Sequence, residues 1–271
     1  MFSMSSIINN NKNNNNNKDY IRNINEYKGT QIIKTLFIYW NQGFENAPVL
    51  VKKCLLSWKL QNPTWNIIEL DETNINEYIK LDDVIPNINN KKMRLNHRAD
   101  IIRLCLLEKY GGCWCDATTF CNKPLDSWLN NYIQESGFFA FERPLQKYKS
   151  LMISNWFLYS SKNHYIIKQL KEKTIEYWSN RNETNFYFWF HAIFDYLYNH
   201  NKTCRLLWNS TGKINTDIPH FIEHNKMLNP LTKTVKEHID NIVAPMYKLS
   251  WKFKIEDYNE KSNVAYLLNK I

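Results

Sequence analysis

Two kinds of hydrophobic pattern alternate along the chain. Residues 31–40 (QIIKTLFIYW) are a near-continuous apolar run rich in branched and aromatic side chains, the signature of a buried strand, and Asn41-Gln42-Gly43 turns the chain after it. Over residues 47–60, apolar positions recur at Val51, Cys54, Leu55 and Trp58, which is helical spacing; Pro48 sits where a first turn tolerates it, and Asn62-Pro63 ends the segment. Residues 65–70 (WNIIEL) read as a second strand. Strand, helix and strand at this length predict a βαβ unit with a parallel pair and a right-handed crossover. Residues 71–86 are polar and predict a loop around a short helix over 75–80. Residues 98–110 predict an amphipathic helix with Arg98, Asp100 and Arg103 set among Ile101, Ile102, Leu104, Leu106 and Leu107. Gly111-Gly112 stops it, because glycine tolerates the left-handed conformation common at helix ends. Residues 113–115 then read as a short strand that delivers Asp116 to its end.

Further on, residues 137–142 (GFFAFE) predict a strand, residues 164–178 a packing helix, and the aromatic stretch 186–198 (FYFWFHAIFDYLY) another helix, too short to span a membrane. Pro219, Pro230 and Pro245 break the C-terminal third into short elements. Residues 247–254 (YKLSWKFK) alternate as an edge strand does. At the other end, residues 7–18 (IINNNKNNNNNK) are too polar to offset the entropy of ordering, so residues 1–29 are expected to be a disordered leader and residues 30–271 one domain.

Composition narrows the choice of function. A 271-residue chain with 44% hydrophobic residues and ten tryptophans can bury a sizeable core. The net charge of +9 favours anionic partners such as nucleotides or anionic membrane surfaces. The lysines are spread rather than blocked, and no zinc finger, RNP-type motif or basic helical stripe is present, which argues against nucleic acid. Six cysteines without a C-x-x-C pair argue against zinc and for buried thiols in a reducing compartment. Cys113 and Cys115 are expected to point to opposite faces of their strand and so not to pair. No secretory signal and no apolar run of membrane-spanning length is seen, which fits a cytoplasmic enzyme, with peripheral contact to a membrane through surface charge as a variant.

The candidate chemistry gathers around residues 94–126. Helical spacing places Asp100 and Arg103 on one face. Such a couple can bracket a sugar, the carboxylate accepting from hydroxyls and the guanidinium donating in a fixed fork; it is also the pattern of an ordinary surface ion pair. An acid at a strand end, here Asp116, lies where open α/β sheets bind ligands. His191 and Asp195, four apart on a helix, could be a base and its orienter or plain core residues. Asp71, Glu72, Asp82 and Asp83 lack the oxygen spacing of a calcium loop and read as solvated surface.

Taken together, the run R-x-D-I-I-R-L-C-L-L-x-x-Y-G-G-x-W-x-D-A-T resembles the core motif of sugar-nucleotide glycosyltransferases of the GT-A type. It is most similar to the capsular polysaccharide synthesis proteins and to glycosyltransferase family 32, and more distantly to the large clostridial glucosylating toxins. Ala99 stands where Ser is common, and Thr118 where the second Asp of D-x-D would stand. The resemblance implies an α/β GT-A fold, a mostly parallel central sheet flanked by helices. It implies a retaining transferase that moves a hexose from a nucleoside diphosphate sugar to a glycan or glycoconjugate acceptor with Mn2+ or Mg2+. Asp116, Asp100 and Arg103 would be the catalytic group and Asp116 with Thr118 the metal site. The donor would meet these three residues together with Trp40 or Tyr39 at the base, Asn155 at the sugar or acceptor, and Lys248 and Ser250 at the diphosphate. Trp40 equally suits core packing, Asn155 a backbone-satisfied buried amide, and Lys248 and Ser250 the edge strand. Two other functions fit the sequence: a silent sugar-nucleotide or glycan-binding relative, suggested by Thr118, and a basic scaffold that docks on anionic surfaces.

Overall fold

The computed structural model describes residues 26–143, 151–253 and 259–271. The asparagine-rich tract at 7–18 lies outside the described residues. A five-stranded sheet in the order β2-β1-β3-β6-β5 forms the centre. Its strands are β1 (Thr35–Tyr39), β2 (Asn66–Leu70), β3 (Gly112–Asp116), β5 (Phe138–Glu142) and β6 (Ile153–Ser160). β1 pairs in parallel with β2 and β3, while β6 runs antiparallel to both β3 and β5. All but β6 therefore point the same way, and the sheet is mostly parallel, flanked by helices, as expected. Two short strands, β4 (Thr119–Cys121) and β7 (Met246–Lys248), form a separate antiparallel ribbon.

Strand alternation sends side chains to two cores. On one face Leu36, Ile38, Phe139, Phe141, Phe157 and Tyr159 pack with helix α1 (Val49–Gln61) and with α6 (Lys233–Asp240) and α7 (Asn263–Leu268). On the other, Phe37, Tyr39, Trp114, Phe138, Ala140 and Leu158 pack with α2 (Leu95–Tyr110), α3 (Tyr165–Ser179), α4 (Trp189–His200) and α5 (Lys202–Ser210). Both Cys113 and Cys115 lie on the first face, which corrects the expectation that they diverge: residues two apart on a strand share a side. All six cysteines are buried and free.

The packed region also starts before Thr30. Tyr27 is buried, its ring 4.3 Å from that of His164, and its hydroxyl accepts a hydrogen bond from the Tyr165 amide. A polar N-terminal composition hid this one anchoring ring. The helix forecast over 186–198 begins later, at Trp189, which leaves Phe186 and Tyr187 about half exposed in the preceding segment.

The join between α2 and β3 sets the site. α2 ends at Tyr110, Gly111 caps it and β3 starts at Gly112, the two glycines having φ of 71° and 91°. The chain reverses there, so the middle of α2 lies beside the end of β3. Arg103 to Gly111 spans about 12 Å of helix and Gly112 to Asp116 about 13 Å of strand, which brings Arg103 level with Asp116. A Cβ at Gly112 would sit 2.5 Å from the Thr35 carbonyl oxygen of β1. Gly112→Ala should therefore cost about 2–4 kcal/mol, a fall of roughly 5–15 °C in thermal midpoint by calorimetry. A shift under two degrees would show that the turn relaxes freely.

Candidate active site

At the carboxyl edge of the parallel strands Tyr39 pairs with Asp116 in the ladder, and the first residues of antiparallel β6 reach the same edge. Here seven side chains form one network of polar contacts. Asn155 Nδ2 donates to Asp100 Oδ1 at 2.7 Å. Arg103 Nη1 lies 2.6 Å from the same Asp100 oxygen, and Arg103 Nη2 donates to Asp116 Oδ1 at 3.1 Å. Trp114 Nε1 also donates to that Asp116 oxygen, at 3.1 Å. Lys248 Nζ donates to Asp116 Oδ2 at 3.3 Å and to Thr118 Oγ1 at 2.6 Å. The guanidinium is held over the Trp114 ring, 5.0 Å from its centroid, so its plane is set from both sides.

Two cavities meet at this network. The outer one, 630 Å³, is lined by Trp40, Arg103, Asp116, Thr118, Lys248 and Ser250, with Leu95, Tyr187, Trp251 and Lys252 toward its mouth. The inner one, 220 Å³, is lined by Asn155, Ser154, Trp156, His191, Thr216 and His220 among others. Asp116, Tyr187 and Lys248 line both.

Most residues marked in the sequence thus come together, though not all of them line a cavity. Asp100 is 3% exposed and lines neither cavity. It holds Arg103 and Asn155 from behind the cavity wall. Burial pushes its carboxyl up to about 7; Arg103 pulls it down, Asp116 pushes it up, and the Asn155 amide pulls it down. Tyr39 borders the outer cavity with its body in the core, and its hydroxyl donates to Glu72 and meets Asn41 Oδ1 at 2.9 Å. Glu72 also takes a forked pair from Arg98, at 3.0 and 2.9 Å. Glu72 is therefore a strut under the Asn41-Gln42 loop and not merely solvated surface. Trp40 is half-buried and meets Trp251 edge to face, with centroids 5.5 Å apart. Ser250 lines the outer cavity, and its amide is turned toward Met227 Sδ.

His191 and Asp195 do not form a dyad. Burial, with the charges of Arg143 and Arg103, holds the His191 ring well below its usual range, at about 3, so it is neutral at the wall of the inner cavity. Asp195 instead accepts from the Met152 amide at 3.2 Å. Burial raises the Asp195 carboxyl to about 6, against the lowering effect of that amide. A raised carboxyl makes the folded state bind more protons than the unfolded one between pH 4 and 6, so its contribution to stability falls as pH rises through that window. Asp195→Asn keeps the amide bond and removes the charge. It should raise the thermal midpoint by about 2–5 °C at pH 8 and by less at pH 4.5; an equal shift at both values would contradict this.

The donor set is a poor match for a resident divalent ion. Mg2+ and Mn2+ take oxygen ligands, commonly one or two carboxylates completed by substrate phosphates. Asp116 is the one carboxylate of the expected pair, Thr118 supplies a neutral hydroxyl, and both are already bound by the Lys248 ammonium. Among the described residues no group of three His, Cys, Asp or Glu side chains is placed to hold a metal.

Sequence reasoning missed Trp251, Lys252, Tyr187, His220 and Thr216. Trp251 carried a signal as an aromatic in the alternating 247–254 run. Lys252 belongs to the same run and Tyr187 to the aromatic stretch 186–198, while Thr216 and His220 come from a segment with no local pattern that marks them.

An O-glycosyltransferase of Phomopsis amygdali is 25% identical over 178 residues, 60% of this chain and 44% of that protein. An O-glycosyltransferase of Annulohypoxylon truncatum is 29% identical over 112 residues, 38% of this chain and 27% of that one. A glycosyltransferase of Aspergillus fumigatus is 25% identical over 129 residues, 43% and 33% of the two chains. The chain spans less than half the length of these curated relatives. Among solved structures, the PaToxG glycosyltransferase aligns with a TM-score of 0.47 and 15% identity, covering 83% of this chain and 89% of that one. No helix among the described residues is long and apolar enough to cross a membrane. Residues 3–269 match the family described as capsular polysaccharide synthesis protein, and to that family this chain belongs.

Proposed function

We propose that the paired cavities transfer a hexose from a nucleoside diphosphate sugar to a hydroxyl of a glycan or glycoconjugate, with anomeric configuration retained. The observation that carries this reading is the seam: Asp116 and Lys248 line both chambers, and Arg103 is tied to the same carboxylate. The outer chamber has room and an aromatic wall, Trp40 with Trp251, for a nucleoside. Base stacking on such a ring is worth about 1–3 kcal/mol in single-strand binding. The inner chamber, smaller and lined by hydroxyls, an amide and the Trp156 ring, suits a sugar. The diphosphate then crosses the seam, where cations are held ready.

In the reaction, the bond between the anomeric carbon and the terminal phosphate oxygen breaks, and its electron pair stays on the diphosphate. The acceptor hydroxyl oxygen bonds to that carbon, and its proton passes to the departing phosphate oxygen. The growing negative charge meets Lys248 and Arg103, whose positions are fixed before the reaction begins. Asp100 and Asn155 position Arg103 without touching the donor's phosphates. The half-exposed ring of Tyr187, which lines both chambers, offers a face to a carbohydrate acceptor. Retention is supported by the resemblance to family 32, and the anomer of the product, read by NMR, tests it.

A thermal-shift panel of nucleotide sugars tests the donor class, since a bound ligand stabilises by mass action. One nucleotide sugar should raise the midpoint above its free nucleotide and above the same base carrying other sugars. A panel flat for every compound at saturating concentration overturns the reading.

A further inference from the structure

The two oxygens that a D-x-D pattern would give to a divalent ion are both taken by one side chain. Lys248 Nζ lies 3.3 Å from Asp116 Oδ2 and 2.6 Å from Thr118 Oγ1. The other Asp116 oxygen is occupied by Arg103 and Trp114. Lys248 is no stray surface lysine. It ends β7, where it pairs with Thr119 of β4, and the next amide, of Leu249, donates to the Thr118 carbonyl at 2.9 Å. Tyr247 and Leu249 on either side of it are buried, which pins the backbone that carries the ammonium.

Charge matches this placement. Two carboxylates would supply −2 for a +2 ion; one carboxylate and a hydroxyl supply −1, which a +1 ammonium balances. A divalent ion entering beside Asp116 would have to displace the ammonium and then stand against it, with Arg103 as a second repelling charge.

We propose that Lys248 takes the place of the divalent ion, so that the donor diphosphate is held and its leaving charge neutralised by Lys248 with Arg103, without a metal. The inference rests on the donor reading above. Thr118 follows from it: in place of a second acid it gives the ammonium a neutral acceptor and adds no negative charge facing the phosphates.

Calorimetric titration with UDP, GDP, ADP and TDP at low salt, after EDTA and again with Mn2+, tests this. The nucleotide that binds should do so after EDTA with a Kd within about twofold of its value in Mn2+. Lys248→Met should weaken that binding by about ten- to a hundredfold, the range of a lost charge-assisted contact, with Lys248→Arg closer to the parent and Mn2+ giving no rescue of the methionine variant. Circular dichroism confirms that each variant is folded. The paired change Thr118→Asp with Lys248→Met should recover binding only in Mn2+. Parent binding that vanishes in EDTA and returns with Mn2+ overturns the Lys248 inference alone and leaves the donor reading intact. Failure of all four nucleotides to bind, with or without Mn2+, overturns both.

Discussion

Asp116→Asn is expected to lower sugar transfer by about 10²–10³-fold, the loss typical when one preorganised polar group is taken from a charge-stabilising site. The substitution keeps the shape and one acceptor oxygen but removes the charge that holds Arg103 Nη2 and Lys248 Nζ in place. Two cations without their counter-ion still attract a diphosphate, so KM should stay level or fall while kcat carries the loss. The thermal midpoint should move by only a few degrees, because the Asp116 side chain is 29% exposed. Steady-state kinetics separates the cases: kcat within threefold of the parent would remove Asp116 from the chemistry.

Arg103→Met is expected to have the largest effect on stability. The guanidinium and the Asp100 carboxylate are each about 4% exposed, and removing one partner strands a buried charge. Such losses run to about 3–5 kcal/mol, on the order of 10 °C in midpoint for a chain of this size. The effect should depend on pH. Burial already holds the Asp100 carboxyl near 7, above its ordinary value, so the folded state binds the extra proton between about pH 4 and 7 and loses stability as pH rises through that range. With Arg103 gone, the pull toward ionisation is lost and the deficit should be larger at pH 8 than at pH 5. A second variant, Asp100→Leu with Arg103→Met, should recover much of the midpoint, since well-packed apolar pairs often replace buried ion pairs without loss. It should not recover transfer. Recovery of both would reduce the couple to a structural pair.

The contrast between these two acids shows what could be read from the chain and what could not. Asp100, Arg103 and Asp116 lie within seventeen residues, joined by a helix, a double glycine and a strand whose lengths almost match. Local periodicity was enough to bring them together. The strands at 35–39, 66–70 and 112–116 were legible for the same reason, as were helices α1 and α2. Periodicity could not show that Asp100 would face away from the cavity, because a helix face says nothing of what covers it. Nor could it place Lys248 against Asp116 and Thr118, contacts 132 and 130 positions apart that depend on the pairing of β4 with β7. The expected metal site at Asp116 and Thr118 rested on resemblance, and the partner that fills those oxygens comes from that distant ribbon. Tyr39 went to a strut with Glu72 and Arg98 for a like reason: adjacent strand residues face opposite sides, so Trp40 and Tyr39 could not share one role.

The most direct measurement is a crystal structure of the chain with its stabilising nucleotide sugar bound. The account expects the base against Trp40, the diphosphate within hydrogen-bond distance of Lys248 Nζ and the sugar in the chamber bounded by Asn155 and Trp156. A nucleotide sugar seated elsewhere on the molecule, with Asp116 and Lys248 untouched, would contradict it.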